Sequence, residues 1–110
     1  MKKSLYGQYI EEREGKNIIE SEYGFITLQN LEKTCYLIDI YVVPEKRKTG
    51  EARRLGQLAE KCARDSGYTS VITTVVPTAP YCTENIRMLI NDKWTVYHSE
   101  NNIIYLKKEL

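Results

Sequence analysis

The sequence predicts a mixed α/β (α+β) domain, with helices packed on a central sheet, and three stretches lead there. Cys35 to Val43 is rich in Ile, Val and Tyr and is closed by Pro44, the composition and ending of a strand. Ala52, Leu55, Ala59, Cys62 and Ala63 recur at the spacing of one helix face. Tyr68 to Val76 then returns to β-rich composition. It is apolar on both faces, Val71 and Val75 against Ile72 and Val76, as an interior strand requires.

The remaining elements follow in order. Leu5 to Arg13 predicts a short helix with Leu5, Tyr9 and Ile10 toward one face. Glu14 to Asn17 reads as a turn around Gly15. Ile18 to Glu20 and Tyr23 to Leu28 read as strands, and Gln29 to Lys33 as a polar turn before Cys35. In the long helix, Arg53, Arg54, Gln57, Glu60, Lys61 and Arg64 are expected on the solvent side, and Gly67 supplies a left-handed end. Thr83 is the expected N-cap of a second helix reaching Asn91, with Ile86, Leu89 and Ile90 inward. Trp94 to His98 and Ile103 to Leu106 form a hairpin around Glu100-Asn101-Asn102.

Composition bounds the function. The 110 residues suit one domain, here taken as 1–110, and carry 28% charged and 42% hydrophobic residues with a formal net charge of +1. That balance gives no concentrated basic or acidic surface, so neither nucleic acid nor membrane is an expected partner. No apolar run approaches the ~20 residues of a membrane span. Met1-Lys2-Lys3-Ser4 has no apolar stretch behind it and does not read as a secretory leader, and the final Lys-Lys-Glu-Leu is no retention signal without one. Cys35, Cys62 and Cys82 show neither metal-ligand nor redox spacing, so they are expected as reduced thiols of a cytoplasmic protein with no bound metal. A Cys–His pair with His98 is outweighed by the reading of small buried side chains.

The chemistry concentrates in Val42-Val43-Pro44-Glu45-Lys46-Arg47-Lys48-Thr49-Gly50-Glu51-Ala52, which joins the first clear strand to the long helix. A helix N-terminus offers unpaired N–H groups and partial positive charge, and phosphates bind there. Gly50 permits a positive φ and close approach of an anion, Ala52 keeps the first turn slim, and Arg47 and Lys48 add charge. The Walker pattern and the dinucleotide-binding glycine pattern are both missing.

The segment Arg47-x-x-Gly50-x-Ala52, preceded by Val42-Val43-Pro44-Glu45, resembles the acetyl-CoA loop of the GCN5-related N-acetyltransferase (GNAT) superfamily. The likeness runs over about residues 34–107. It implies a mostly antiparallel sheet, a splay between strands 35–43 and 68–76, and acetyl-CoA as co-substrate. Its pantetheine arm would pair with the backbone of Tyr41, Val42 and Val43. Its pyrophosphate would rest on Arg47, Lys48, Thr49, Gly50, Glu51 and Ala52. An amine would attack the thioester directly in a ternary complex, with a backbone N–H near Val42 as oxyanion donor. Asp39, on the pleat face of Leu37 and Tyr41, is the expected base or holder of a relaying water. Asn85 is placed to touch the pantetheine arm.

Two departures from the family pattern matter. The Tyr that family members carry late in the corresponding helix has no counterpart: the two ways of counting land on Leu89 and Asp92. Tyr81 or Tyr97 is left as the proton donor to the thiolate. The N-terminal part is also reduced, so the acceptor side is open to a small amine or a protein amino group, or is completed by a second copy in a homodimer. The alternatives are a weak or inactive protein-binding regulator that retains acetyl-CoA binding, and a small phosphate- or nucleotide-binding domain. The other tyrosines, Trp94 and His98 read as packing or surface residues.

Overall fold

A computed structural model describes residues 4–110. The absence of a leader was read from a segment that includes Met1 to Lys3, which lie outside the described residues. Helix α1 (Leu5–Glu14) is capped by the Ser4 hydroxyl, which accepts the Gly7 N–H, and ends at Gly15 with φ 65°. Strands β1 (Asn17–Glu20), β2 (Gly24–Leu31) and β3 (Thr34–Val42) follow as an antiparallel meander. A 3-10 turn at Pro44–Lys46 leads to α2 (Glu51–Asp65), then β4 (Ser70–Val75), α3 (Cys82–Asn91) and the hairpin of β5 (Thr95–Glu100) and β6 (Ile103–Glu109). The sheet order is β1-β2-β3-β4-β6-β5, and β3–β4 is its one parallel pair. A parallel pair needs a crossover, and α2 supplies it.

Several sequence expectations change, among them Ile90 of the helix at Cys82–Asn91, expected inward and found exposed. The polar stretch Gln29 to Leu31 is strand, paired with Tyr36, Cys35 and Thr34, and only Glu32-Lys33 turns. The pairing needs of β3 outweigh the polarity of those side chains, which face solvent. Helix α3 starts at Cys82 with Tyr81 at φ 64° before it, so Thr83 lies inside the helix and caps nothing. On α2, Leu55, Ala59 and Ala63 enter the core, but Cys62 is exposed and Glu60 is buried at 7% exposure. Glu60 tolerates burial because Lys108 of β6 reaches its carboxylate at 2.6 Å.

The core lies between the sheet and α2, where Leu55, Ala59 and Ala63 meet Ile26, Leu37, Val71 and Leu106. Trp94 belongs to this core, and Ile86 and Leu89 of α3 pack against the cluster. Helix α1 packs on β1, and Tyr6 stacks toward Phe25, which in turn meets Tyr41. Phe25 and Tyr41 alternate with the core residues Ile26 and Val42, so this aromatic row lies on the sheet face away from α2. Asn101 and Asn102 take φ 49° and 61°, the left-handed pair of a tight hairpin turn. No described helix is long and apolar enough to cross a membrane.

Candidate functional site

The two parallel strands pair only from Thr34↔Ser70 to Leu37↔Thr73. Beyond Leu37 they part. Thr27 pairs with Asp39 and Leu28 with Leu37, which leaves Ile38 as an extra residue on β3. Such a bulge bends the strand and reverses its alternation. The expected common face of Leu37 and Asp39 is therefore not formed: Leu37 points into the core, while Asp39 joins Tyr41 on the other face. The sequence shows no glycine or other mark of the bulge, so simple alternation misplaces this one residue.

The split opens two adjoining cavities on the α2 side. The inner one, ≈ 280 Å³, is lined by Ile40, Gly56, Thr74, Val75, Asn85 and Trp94 among others. The outer one, ≈ 680 Å³, runs over Tyr41, Val42, Arg47, Lys48, Gly50 and Asn85. Both are floored by Ala52 and share Met88. Volumes of this size suit a cofactor-scale ligand.

The loop before α2 supplies the polar end. Lys48 and Gly50 take φ 62° and 91°, and no side chain caps the helix. Arg54 N–H is the first to bond back, to Gly50 O at 3.0 Å. Among the described residues, the backbone N–H groups from Lys48 to Arg53 have no hydrogen-bond partner. Left-handed residues alternating with ordinary ones make consecutive amides converge, which is an anion-binding concavity. The helix dipole adds to it.

The side chains around this concavity divide their work. Arg47 Nε donates to Val42 O at 2.9 Å, and its guanidinium lies 5.5 Å from the Tyr41 ring centroid, so the side chain braces the loop against β3. Lys48 lines the outer cavity. The Thr49 hydroxyl donates to Lys46 O and fixes the turn. The Glu51 side chain is buried and turned away: it accepts from Ser21 Oγ at 3.0 Å and from Arg54 at 2.7 and 3.1 Å. The Arg54 hydrogen bond holds its carboxyl below the usual range, so a carboxylate sits beside the loop already neutralised. Val43, Thr49 and Glu51 are absent from the cavity walls, and of the cofactor contacts expected from sequence these three have only backbone groups to offer. Val43 N–H is itself spent on Tyr23 O at 2.8 Å. Alternation then turns the N–H of Val42 toward the open edge of β3.

The structure brings only some of the expected catalytic residues together. Asp39 lies at the split, its N–H bonded to Thr27 Oγ1 at 3.2 Å and its carboxylate without a hydrogen-bond partner among the described residues. Tyr81 is exposed at the mouth of the outer cavity, near Lys48 and Gly50. Tyr97 is not in the cleft. It is 52% exposed and lines a separate groove with Leu31, Thr34, Ile72 and Lys107. His98 pairs with Glu100 at 3.0 Å and packs on Tyr105, so it makes no Cys–His pair. Burial pushes the Cys35 thiol up, with a smaller push from Cys62, which suits a structural thiol.

Sequence reasoning missed two pairs. Arg53, expected as solvated, donates twice from Nε (3.0 Å each) and once from Nη2 (2.7 Å) to Asp92, tying the first turn of α2 to the end of α3 beside both cavities. Tyr36 and Thr74 join across the split through their hydroxyls at 3.1 Å. Neither pair has a sequence signal, because each spans residues more than thirty positions apart.

No family model matches the sequence, and no curated protein matches it significantly. Solved structures do match in shape. The PaiA N-acetyltransferase of Thermoplasma acidophilum, solved in complex with coenzyme A, superposes with a TM-score of 0.78 at 16% identity over 96% of this chain and 69% of its own. The ribosomal-protein-S18-alanine N-acetyltransferase of Escherichia coli gives 0.74 at 12% identity, covering 99% and 78%. A GNAT-family acetyltransferase of Listeria monocytogenes gives 0.69 at 13% identity, covering 82% and 59%. The chain has the fold of the GNAT-family N-acetyltransferases.

Proposed function

We propose that this chain is an acetyl-CoA-dependent N-acetyltransferase that transfers acetyl to a primary amine, by direct attack in a ternary complex. The observation that carries the proposal is the run of unbonded amides from Lys48 to Arg53, opening into a cavity that leads to the β3–β4 split. In this reading those amides and Lys48 hold the pyrophosphate. The pantetheine arm passes Ala52 and Asn85 along the open edge of β3. The Val42 N–H faces the carbonyl oxygen that gains charge during attack. Asp39 accepts the amine proton, directly or through a water. Arg47 releases the Val42 carbonyl to the arm or stays as its neighbour. The structural neighbours are acetyltransferases, two of them named in complex with coenzyme A, which supports the same chemistry. The acceptor is a small amine or a protein amino group.

The test is a thermal-shift titration. Binding only to the folded state raises stability by about 2.7 kcal/mol at a hundred times Kd. Acetyl-CoA is expected to raise the Tm of the wild type and not of Gly50→Glu, whose carboxylate enters the concavity. An equal shift in both proteins contradicts the placement, and no shift at millimolar acetyl-CoA contradicts the proposal.

One observation favours a second reading, a binding-only regulator: α3 carries no tyrosine to serve the thiolate. Acceptor-dependent release of free thiol separates the two, since a regulator binds acetyl-CoA without releasing it.

A further inference from the structure

The geometry points to the inner cavity as a pocket for the acyl group of the thioester, shaped for an unbranched apolar chain longer than acetyl; this rests on the transferase reading above and names the acyl group it favours. Ile40, Ala52, Asn85 and Met88 line both cavities and form the passage between them. Tyr41, Val42, Arg47, Lys48 and Gly50 belong to the outer cavity alone. The phosphates, the arm and the carbonyl beside the Val42 N–H therefore take up the outer cavity and the passage. The space beyond is walled by Leu37, Gly56, Val75, Leu89 and Trp94, none of which the outer cavity reaches. The carbonyl carbon carries one substituent besides oxygen and sulfur, and this space is open to it. A space of about 10–15 Å³ already admits one water-sized group. The inner cavity has ≈ 280 Å³, so the methyl of acetyl fills only its mouth.

Helix α2 gives the pocket its length. Ala52, Gly56 and Glu60 recur every fourth residue on one side of the helix, and all three line the cavity. At about 1.5 Å per residue, Gly56 lies about 6 Å and Glu60 about 12 Å along the axis from Ala52. Glycine inside a helix is destabilising relative to alanine, yet α2 keeps one where a side chain would project into the cavity. A Cβ built on Gly56 meets no atom within 4 Å, so packing within the protein does not require the glycine. Room for a ligand does. Glu60 marks the far end, its carboxylate held by Lys108 at 2.6 Å. A chain that starts beside Ala52 and stops short of Glu60 has roughly six to eight carbons, at about 1.5 Å per bond.

The walls select an apolar chain. Leu37, Ile40, Val75, Leu89 and Trp94 offer hydrocarbon surface. The cation in the wall, Arg53, is already held by Asp92 at 2.7 Å, and Lys108 behind Glu60 is held as well. Asp39, Glu60 and Asp92 also line the cavity and repel a terminal carboxylate such as that of a succinyl group.

Isothermal titration with acetyl-, butanoyl-, hexanoyl-, octanoyl-, decanoyl- and succinyl-CoA tests this without a known acceptor. The expected gain in wild-type affinity is about fourfold per added methylene, roughly a hundredfold from acetyl to hexanoyl. It stops by decanoyl, and succinyl-CoA binds no tighter than acetyl-CoA. In Gly56→Leu, whose side chain takes the space of the acyl chain, the preference for hexanoyl over acetyl is lost. Gln57→Leu places the same side chain on the exposed neighbouring position and keeps the preference. If Gly56→Leu fails to fold, Gly56→Ala, which a helix favours, carries the test with a preference lowered about fourfold. Equal affinity of the wild type for acetyl- and hexanoyl-CoA overturns the acyl pocket and leaves the cofactor reading standing. A preference that survives intact in the Gly56 variants, or that Gln57→Leu removes as well, overturns its placement, and a gain for succinyl-CoA or a continued rise at decanoyl overturns the chain type. Failure of every thioester to bind overturns both readings.

Discussion

Replacing Gly50 by alanine separates backbone strain from ligand binding. Gly50 has φ 91°, and a Cβ built there meets no atom within 4 Å, so the substitution costs conformation without a clash. A left-handed L-residue costs about 1–2 kcal/mol, and the lower entropy of the unfolded alanine chain returns about 0.4–1 kcal/mol. The net loss is about 1 kcal/mol, a fall in Tm of roughly 4–8 °C for a domain of this size. Gly67, at the far end of α2, has φ 92° and an equally open Cβ position. Gly67→Ala is therefore the matched control and loses the same stability. The two differ toward ligand. Relaxing the left-handed turn at Gly50 rotates at least one amide out of the concavity. A hydrogen bond to a charged acceptor contributes about 1.5 kcal/mol or more, so acetyl-CoA affinity falls about tenfold. Melting curves with and without acetyl-CoA, backed by isothermal titration, read both quantities. Equal ligand affinity in the two alanine variants refutes the role of the loop. An unchanged Tm in Gly50→Ala refutes the strain argument.

Other outcomes follow from single contacts. Glu51 has its pKa lowered by Arg54, then by Ser21 and nearby charge, so it contributes stability above the ordinary glutamate range that is lost as pH falls through its lowered folded value. Melting temperatures from pH 5 to pH 2.5 are expected to fall less steeply in Glu51→Gln than in the wild type, and parallel curves count against the pairing. Lys108→Met leaves the Glu60 carboxylate buried without its cation and is expected to cost about 3 kcal/mol by urea denaturation. The double variant Glu60→Leu with Lys108→Met should recover most of that loss, and no recovery contradicts the account of the pair. Trp94 is the single tryptophan, is buried at 3% exposure and lines the inner cavity. Acetyl-CoA is expected to change its fluorescence with the same midpoint as the thermal shift, and a silent tryptophan at saturating ligand argues that the arm does not enter.

The parts of this fold legible in sequence were those with local physics behind them. The β-rich run ended by Pro44, the helical spacing after Gly50 and the paired asparagines of the last hairpin each carry a short-range reason for their structure. The loop was legible for the same reason: a glycine between a strand and a helix needs no distant partner to expose amides. What stayed hidden depended on partners far along the chain. Glu60 reads as solvated until Lys108 arrives from β6. Gln29 to Leu31 read as a turn until β3 claims them as a pairing edge. The start of α3 moved because the turn closed by Ala79 N–H to Val76 O sets the entry, and Tyr81 takes the left-handed residue before it. The bulge at Ile38 mattered most. One unpaired residue moved Leu37 off the face of Asp39, which strict alternation does not foresee.

Amide resonances give the most direct measure of the central claim. Two-dimensional ¹H–¹⁵N spectra of the labelled protein, titrated with acetyl-CoA and separately with inorganic pyrophosphate, observe the N–H groups of Lys48 to Arg53 one by one. The account predicts that these amides shift most and together, downfield as they gain an anionic acceptor, with both ligands. Saturable binding that leaves them in place while other amides move contradicts it.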